Sequence, residues 1–190
     1  IGRSVGPSVI NAGDGCHEHP TQALLDLFTV RERIGKIAGV KISIIGDLRH
    51  SRVARSNIWG FTKLCADVTV CAPPPLVPAG MERLGVRVTY KLAEAVDDCD
   101  VVYLLRLQRE RQRENYLPSL QEYSLLYGID AQRHAAMKKR FLLMHPGPMN
   151  RGIELKSEVA EMDNSLILEQ VTNGLAVRMA VLYLTIGSRP

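Results

Sequence analysis

Residues 40–45, Val-Lys-Ile-Ser-Ile-Ile, are β-branched and almost wholly apolar, and they stop at Gly46-Asp47. A run this short and this apolar suits a strand buried on both faces, which occurs where helices cover both sides of a parallel sheet. The same kind of run recurs at Val68–Cys71, Val86–Tyr90, Val101–Leu105 and Phe141–Met144, with helical stretches near 52–65, 79–84, 92–97 and 130–138 between them. The alternation predicts an α/β fold, a doubly wound and mostly parallel sheet with helices on both faces. A chain of 190 residues is long enough for one good core, or one and a part, and too short for two full domains.

Two helices lie outside this series. Leu24, Leu27, Phe28 and Ile34 fall at helical spacing behind His19-Pro20, where Pro20 suits a first helical turn, so a helix is predicted over 20–34. A long last helix, over 166–186, is apolar at Val171, Leu175, Ala176, Met179, Leu182 and Tyr183. Neither need belong to the sheet, and both suggest contacts with something absent from this sequence. Ala72-Pro-Pro-Pro-Leu76 reads as a stiff connector, and 107–124 as a long mobile loop.

Mean hydropathy of -0.03 excludes disorder, and no stretch approaches the roughly 18 consecutive apolar residues of a membrane helix. The opening Ile1-Gly2-Arg3-Ser4 has neither an initiator Met nor a secretory pattern, so the chain reads as a processed or partial product. Cys16, Cys65, Cys71 and Cys99 are too widely spaced for a zinc or redox motif. A reducing, cytoplasmic chain without structural metal is expected.

A net charge of +4 favours anionic partners without demanding nucleic acid. The basic clusters Arg49/Arg52/Arg55, Arg106/Arg109/Arg111/Arg113 and Arg133/Lys138/Lys139/Arg140 are interleaved with Glu110, Glu114 and Asp97-Asp98-Asp100. The second cluster has no aromatic to stack on a base, which argues against a nucleic-acid surface.

In an open parallel sheet, ligands bind beyond the carboxyl ends of the strands, so the residues just after each strand carry the information. After the first strand, Arg49 and Arg52 sit at or just before a helix N-terminus, where the dipole disfavours cations unless an anion offsets them. Pairing of Asp47 with one of the arginines is the alternative. After Val101–Leu105, Arg106 leaves a buried strand end and requires a carboxylate or phosphate partner, for which Glu110 is available. His145-Pro146-Gly147-Pro148 is either an acceptor-rich wall of a ligand site or a plain chain reversal. His19 and Gln22, at the start of a helix, are able to polarise a carbonyl and grip an amide. The absence of G-x-G-x-x-G, G-x-S-x-G, H-E-x-x-H and a P-loop lysine argues against dinucleotide, serine-hydrolase, zincin and nucleotide-triphosphatase readings.

Taken together, Asn11-Ala-Gly-Asp-Gly15, His19-Pro-Thr-Gln22, Gly46-Asp47-Leu48 with Arg52, Arg106-Leu-Gln108-x-Glu110-Arg111, His145-Pro-Gly-Pro148 with Asn150-Arg151-Gly152, and Gln170-Val-x-Asn173-Gly174 with Arg178 resemble the aspartate carbamoyltransferases over nearly the whole chain. An ornithine enzyme would show a cysteine in the His-Pro-Thr-Gln and His-Pro-Gly-Pro segments. The resemblance implies carbamoyl transfer from carbamoyl phosphate to L-aspartate in pyrimidine synthesis, without a cofactor. By position it implies that His19 contacts the carbamoyl oxygen and Gln22 the carbamoyl amide. Arg52 and Arg106 would hold the aspartate carboxylates with help from Gln108, and Glu110 would orient Arg106. Carbonyls around Pro146 and Gly147 would receive the carbamoyl NH2, and Gly147-Pro148 matches the family's cis-proline site.

The family's carbamoyl-phosphate domain carries a Ser-Thr-Arg-Thr phosphate loop, and no such segment occurs here. The resemblance therefore implies the end of that domain and a linker helix at 1–35, an aspartate-binding domain at 36–165, and a returning helix at 166–190. It also implies a homotrimer of complete chains with sites shared between subunits, joined in some systems by regulatory or dihydroorotase subunits, and a 190-residue chain that is inactive alone. Nucleic acid and membrane are not expected partners. A carbamoyltransferase for another amine, and a noncatalytic assembly module or fragment, stay open as alternatives.

Overall fold

Among the residues that the computed structural model describes, 6–108, 110, 119–137 and 139–187, five strands form one sheet with every pairing parallel. They are β1 (Lys41–Ile45), β2 (Asp67–Cys71), β3 (Arg87–Thr89), β4 (Val101–Leu104) and β5 (Leu142–Met144), in the order β3-β2-β1-β4-β5. The predicted sheet is therefore present, with no strand end moved by more than one residue. Ile42, Ile44, Ile45 and all of β4 are buried, as continuous apolar runs require when both faces are covered.

The helices are α1 (Pro20–Ile34), α2 (Arg52–Lys63), α3 (Leu92–Val96), α4 (Leu120–Tyr127), α5 (Ala131–Ala136), α6 (Ser157–Ala160) and α7 (Ile167–Gly187). Tyr103 and Ser43 point to opposite faces of the sheet. The Tyr103 hydroxyl reaches Asp26 on α1, while Ser43 Oγ donates to the Ala95 carbonyl on α3. Helices thus cover both faces, and α1 packs between α2 and α7 on the Tyr103 side. The two flanking helices do belong to this packed body.

Their buried faces carry more polar side chains than the apolar pattern alone suggests. Of the apolar residues that set the helical period of α1, Leu24 is 46% exposed while Leu27, Phe28 and Ile34 are partly buried, and Thr21, Gln22, Asp26 and Thr29 are buried beside Ala23, Leu25 and Val30. On α7 the inward residues include Gln170, Asn173 and Gly174, and Val171, Leu175, Met179 and Tyr183 are exposed. The α1–α7 seam is polar: Asn173 Nδ2 donates to Thr29 Oγ1 and to Glu32 Oε2, each at 3.0 Å, and Arg33 pairs with Glu169 at 2.9 Å.

Other expectations need correction. Part of the loop expected over 107–124 is α4, started by Ser119, whose Oγ accepts from the Glu122 N–H at 3.0 Å in a Ser-x-x-Glu capping pattern. Stacked, buried Tyr123 and Tyr127 hold that helix down. The stretch near 79–84 is a 3-10 turn, Met81–Leu84, and the proline connector contains another at Pro74–Leu76. Arg109, Arg111, Arg113, Glu114 and Lys138 of the basic and acidic clusters, and half of the expected loop, lie outside the described residues. Among the described residues no helix is long and apolar enough to cross a membrane.

Candidate active site

The chain runs outward from β1 to β3, then returns to place β4 on the other edge of β1. Ligands of open parallel sheets bind beyond the strand carboxyl ends at such a reversal. The two strands end in near contact: Gly46 has φ +130°, and a Cβ there would stand 2.7 Å from the Leu105 carbonyl oxygen. Glycine is required by both the torsion and the approach. Beyond this point a cleft of about 150 Å³ is lined by His19, Gln22, Ser51, Arg52, Val53, Arg106, Gln108, Pro146, Gly147 and Pro148. Every lining position singled out from the sequence is therefore brought to one place, and Glu110 joins through its ion pair with Arg106. A larger groove, of about 770 Å³ among α3, α4 and α5, contains none of these strand-end residues and is mainly apolar.

Each side chain is placed by a local device. Ser51 caps α2, accepting from the Ala54 N–H at 3.1 Å, which sets Arg52 at the helix start. The Arg52 guanidinium lies over Gly13: a Cβ on that glycine would meet Cζ at 2.6 Å. Asn11 Oδ1, accepting from the Gly13 N–H at 2.8 Å, shapes this shelf. Of the two arginines that flank the turn, Arg52 lines the cleft, whereas Arg49 Nη1 donates to the Pro75 carbonyl at 3.2 Å and lines a separate hollow with His17 and Arg55. Arg106 donates through Nη2 to Glu110 Oε1, so the partner expected from the sequence is present.

Asp47, fully buried, joins the two strand-end loops. Its Oδ1 accepts from His50 Nδ1 at 2.8 Å and from the His50 N–H at 3.2 Å, and its Oδ2 accepts from the Gln108 N–H at 3.2 Å. Sequence reasoning considered it as an arginine partner and missed this bridging role, for which Gly-Asp at a strand end was the available signal. Ser51, Val53 and Gly13 were likewise not singled out as site residues.

His19 is half-buried. Loss of solvent first, then the positive charges of Arg52 and Arg178, lower its imidazole to about 4, so the ring is neutral at pH 7. The 145–148 turn is held from within: the Gly147 N–H donates to His145 Nδ1 at 2.9 Å, and Gly147-Pro148 is cis. Neither proline has an N–H, so the turn offers carbonyl oxygens to the cleft. Gln22 Nε2 is committed to Asp26 at 3.1 Å, which leaves Oε1 as the half of that amide free for a ligand. The cleft is thus a cationic pocket with one neutral imidazole donor and a wall of acceptors. It suits an anion that also carries an NH2 group.

Known proteins are similar to this chain in sequence and fold. The family described as aspartate/ornithine carbamoyltransferase, Asp/Orn binding domain, matches residues 38–185, and its carbamoyl-P binding domain matches residues 3–32. The aspartate carbamoyltransferase catalytic subunit of Carboxydothermus hydrogenoformans is 58% identical over 181 residues, covering 95% of this chain and 58% of that protein. That of Desulforamulus reducens is 54% identical over 187 residues, covering 98% and 60%. Among solved structures, Trypanosoma cruzi aspartate transcarbamoylase with N-(phosphonacetyl)-L-aspartic acid superposes with TM-score 0.82 at 33% identity, over 91% of this chain and 57% of that one. Pyrococcus furiosus ornithine carbamoyltransferase gives TM-score 0.77 at 29% identity, over 92% and 58%. The chain therefore spans less than two thirds of the length of these relatives. With a family match across most of its residues and the strand-end cleft in place, this chain belongs to the aspartate/ornithine carbamoyltransferase family.

Proposed function

We propose that this chain is the aspartate-binding part of an aspartate carbamoyltransferase, which transfers the carbamoyl group of carbamoyl phosphate to the amine of L-aspartate. The observation that carries the reading is the meeting of Arg52 and Arg106 with His19, Gln22 and the 146–147 carbonyls in one cleft. Naming of the similar curated proteins as aspartate enzymes supports aspartate over ornithine as acceptor. Two guanidinium forks grip the two aspartate carboxylates bidentately, a geometry that lysine does not provide. Gln108 assists, and Glu110 orients Arg106.

Gln22 Oε1 and the Pro146 and Gly147 carbonyls hold the carbamoyl NH2, turning the planar carbon toward the amine. The aspartate nitrogen forms its bond to that carbon, and negative charge gathers on the carbamoyl oxygen. A neutral His19 N–H stabilises this oxygen without having to lose a proton. The C–O bond to phosphate then breaks. Its electron pair leaves with the phosphate, which takes up the proton shed by the amine.

The division into a linker at 1–35, an aspartate domain at 36–165 and a returning helix at 166–190 belongs to the same reading. So do a homotrimer of complete chains in the cytoplasm, with phosphate-binding residues supplied by the carbamoyl-phosphate domain, and regulatory or dihydroorotase subunits as further partners. The exposed apolar face of α7 supports a missing neighbour. The test is to assay carbamoyl phosphate with L-aspartate or L-ornithine, using this chain alone and the same chain joined to a carbamoyl-phosphate domain. N-carbamoyl-L-aspartate should form in the joined protein only. Citrulline as the main product would overturn the acceptor, and robust turnover by the chain alone would overturn the half-site reading.

A further inference from the structure

Asp26 lies outside the set of cleft-lining residues and is fully buried. Its carboxylate is the meeting point of four elements. Oδ1 accepts from Gln22 Nε2 on α1 at 3.1 Å and from Gln170 Nε2 on α7 at 2.7 Å; Oδ2 accepts from Asn57 Nδ2 on α2 at 2.8 Å and from the Tyr103 hydroxyl on β4 at 2.6 Å. The far end of Gln170 continues the chain of contacts, since its Oε1 accepts the backbone N–H of His145 at 2.9 Å. One carboxylate oxygen is thus tied to Gln22 on one wall of the cleft and, through a single side chain, to the turn that forms another.

A buried carboxylate is a costly way to join helices. Burial pushes the Asp26 carboxyl up to about 6 even though all four partners donate to it. The titratable group facing it is the Tyr103 phenol, itself pushed well above its ordinary value by burial and by the carboxylate; Gln22, Asn57 and Gln170 are neutral. Apolar packing of these helices would avoid the cost but would leave Gln22 free to turn its amide over. With Nε2 held, Oε1 is presented, and a carbamoyl NH2 needs an acceptor.

We propose that Asp26 is a positioning residue for the cleft, using one oxygen to set the Gln22 amide and, through Gln170, the 145–147 turn, the two features that grip a carbamoyl NH2. The proposal rests on the function assigned above to the cleft. A displacement of about 1 Å at such a grip costs on the order of 100-fold in rate, so the strut need not touch substrate to matter.

The test compares Asp26→Ala, Gln170→Leu and the conservative Asp26→Asn in the joined, active protein. Asp26→Ala removes both contacts, and Gln170→Leu cuts the link to His145 while keeping that of Gln22. Both should lose at least about tenfold in kcat with KM for aspartate held within about twofold, because the arginine clamps are untouched. Asp26→Asn keeps an acceptor oxygen and should recover most of what Asp26→Ala loses. Wild-type kcat in Gln170→Leu, or kcat and aspartate KM worsening together with a fall in melting temperature, would overturn the proposal; Gln170→Leu decides the matter if Asp26→Ala does not fold. A second readout is independent of the reaction: the Gln22 side-chain amide and Gly147 N–H resonances should both shift in Asp26→Ala, and an unmoved Gly147 signal would refute the strut. If the unaltered joined protein makes no carbamoyl aspartate, the assigned function fails, and these resonances still judge the positioning.

Discussion

Arg106 leaves the end of β4 half-buried, with Glu110 beside it and the cleft in front. Its substitution by alanine removes a charged clamp and little packing. Arg106→Ala should weaken aspartate binding by roughly 1.5–3 kcal/mol, about 10- to 150-fold, with the melting temperature within about 2 °C of the parent. Calorimetry and thermal melting check this, and matched losses of binding and stability would count against it. Gly13→Ala should act on the same ligand from a distance, since the added Cβ displaces the Arg52 guanidinium; aspartate KM should rise with carbamoyl phosphate KM little changed. Asp26 gives a pH signature. An acid whose pKa rises from 3.8 to about 6 on folding favours the folded state below pH 3.8, and that contribution disappears as pH climbs through 6. Asp26→Asn cannot titrate there, and His19 titrates equally in both proteins. The variant should therefore gain stability on its parent between pH 4 and pH 7, by on the order of 3 kcal/mol at 1.36 kcal/mol per pKa unit. Urea unfolding at several pH values reads this, and a difference independent of pH would refute it. Arg52, Arg106 and His145-Pro-Gly-Pro148 were legible in the sequence because arginine or paired prolines at the end of a buried strand are unfavourable unless used. Gly13, Asp47 and Asp26 were not, because their roles depend on partners far along the chain.

The strands came through well because their short runs, dense in β-branched residues, are bounded by clear turn residues and helical stretches. The positions of α1, α2, α3, α5 and α7 also came through, whereas the stretch near 79–84 is a 3-10 turn and the buried face of α1 was not foretold by its apolar period. The period of α1 is set by Leu24, Leu27, Phe28 and Ile34, yet its fully buried side carries Gln22, Asp26 and Thr29 among Ala23, Leu25 and Val30. A pattern of apolar residues reveals that a stripe exists and says nothing of whether the sheet or another body covers it. The helix α4 begins inside the stretch that reads as a long mobile loop, although the spacing of Ser119 and Glu122 is that of a capped helix start. The close approach of β1 and β4 was equally hidden, because a glycine after a strand is common. Gly46→Ala should cost about 1–3 kcal/mol in urea unfolding, because the backbone is strained at φ +130° and the added methyl meets a carbonyl. The wild-type midpoint retained in that variant would show that the strand ends are free to part.

At the scale of the molecule, the outward side of α7 departs from an ordinary surface: Leu168, Val171, Leu175, Met179, Tyr183 and Ile186 are each more than 60% exposed. The same sequence that hides polar atoms between α1 and α7 shows its oil to the outside. Leu175→Glu should leave the melting temperature of the chain within about 2 °C, and should reduce both its self-association in sedimentation and its activity when paired with a carbamoyl-phosphate domain. Unchanged pairing would remove that face from the assembly. The order of the sheet carries a further consequence. The strand that ends up in the middle, β1, spends the synthesis of some 55 residues as an open border, because its second neighbour β4 follows only after β2 and β3 have been made. A nascent or clipped chain ending before residue 101 would present a row of unpaired amides and carbonyls on a largely apolar strand, the kind of edge that recruits stray chains into aggregates.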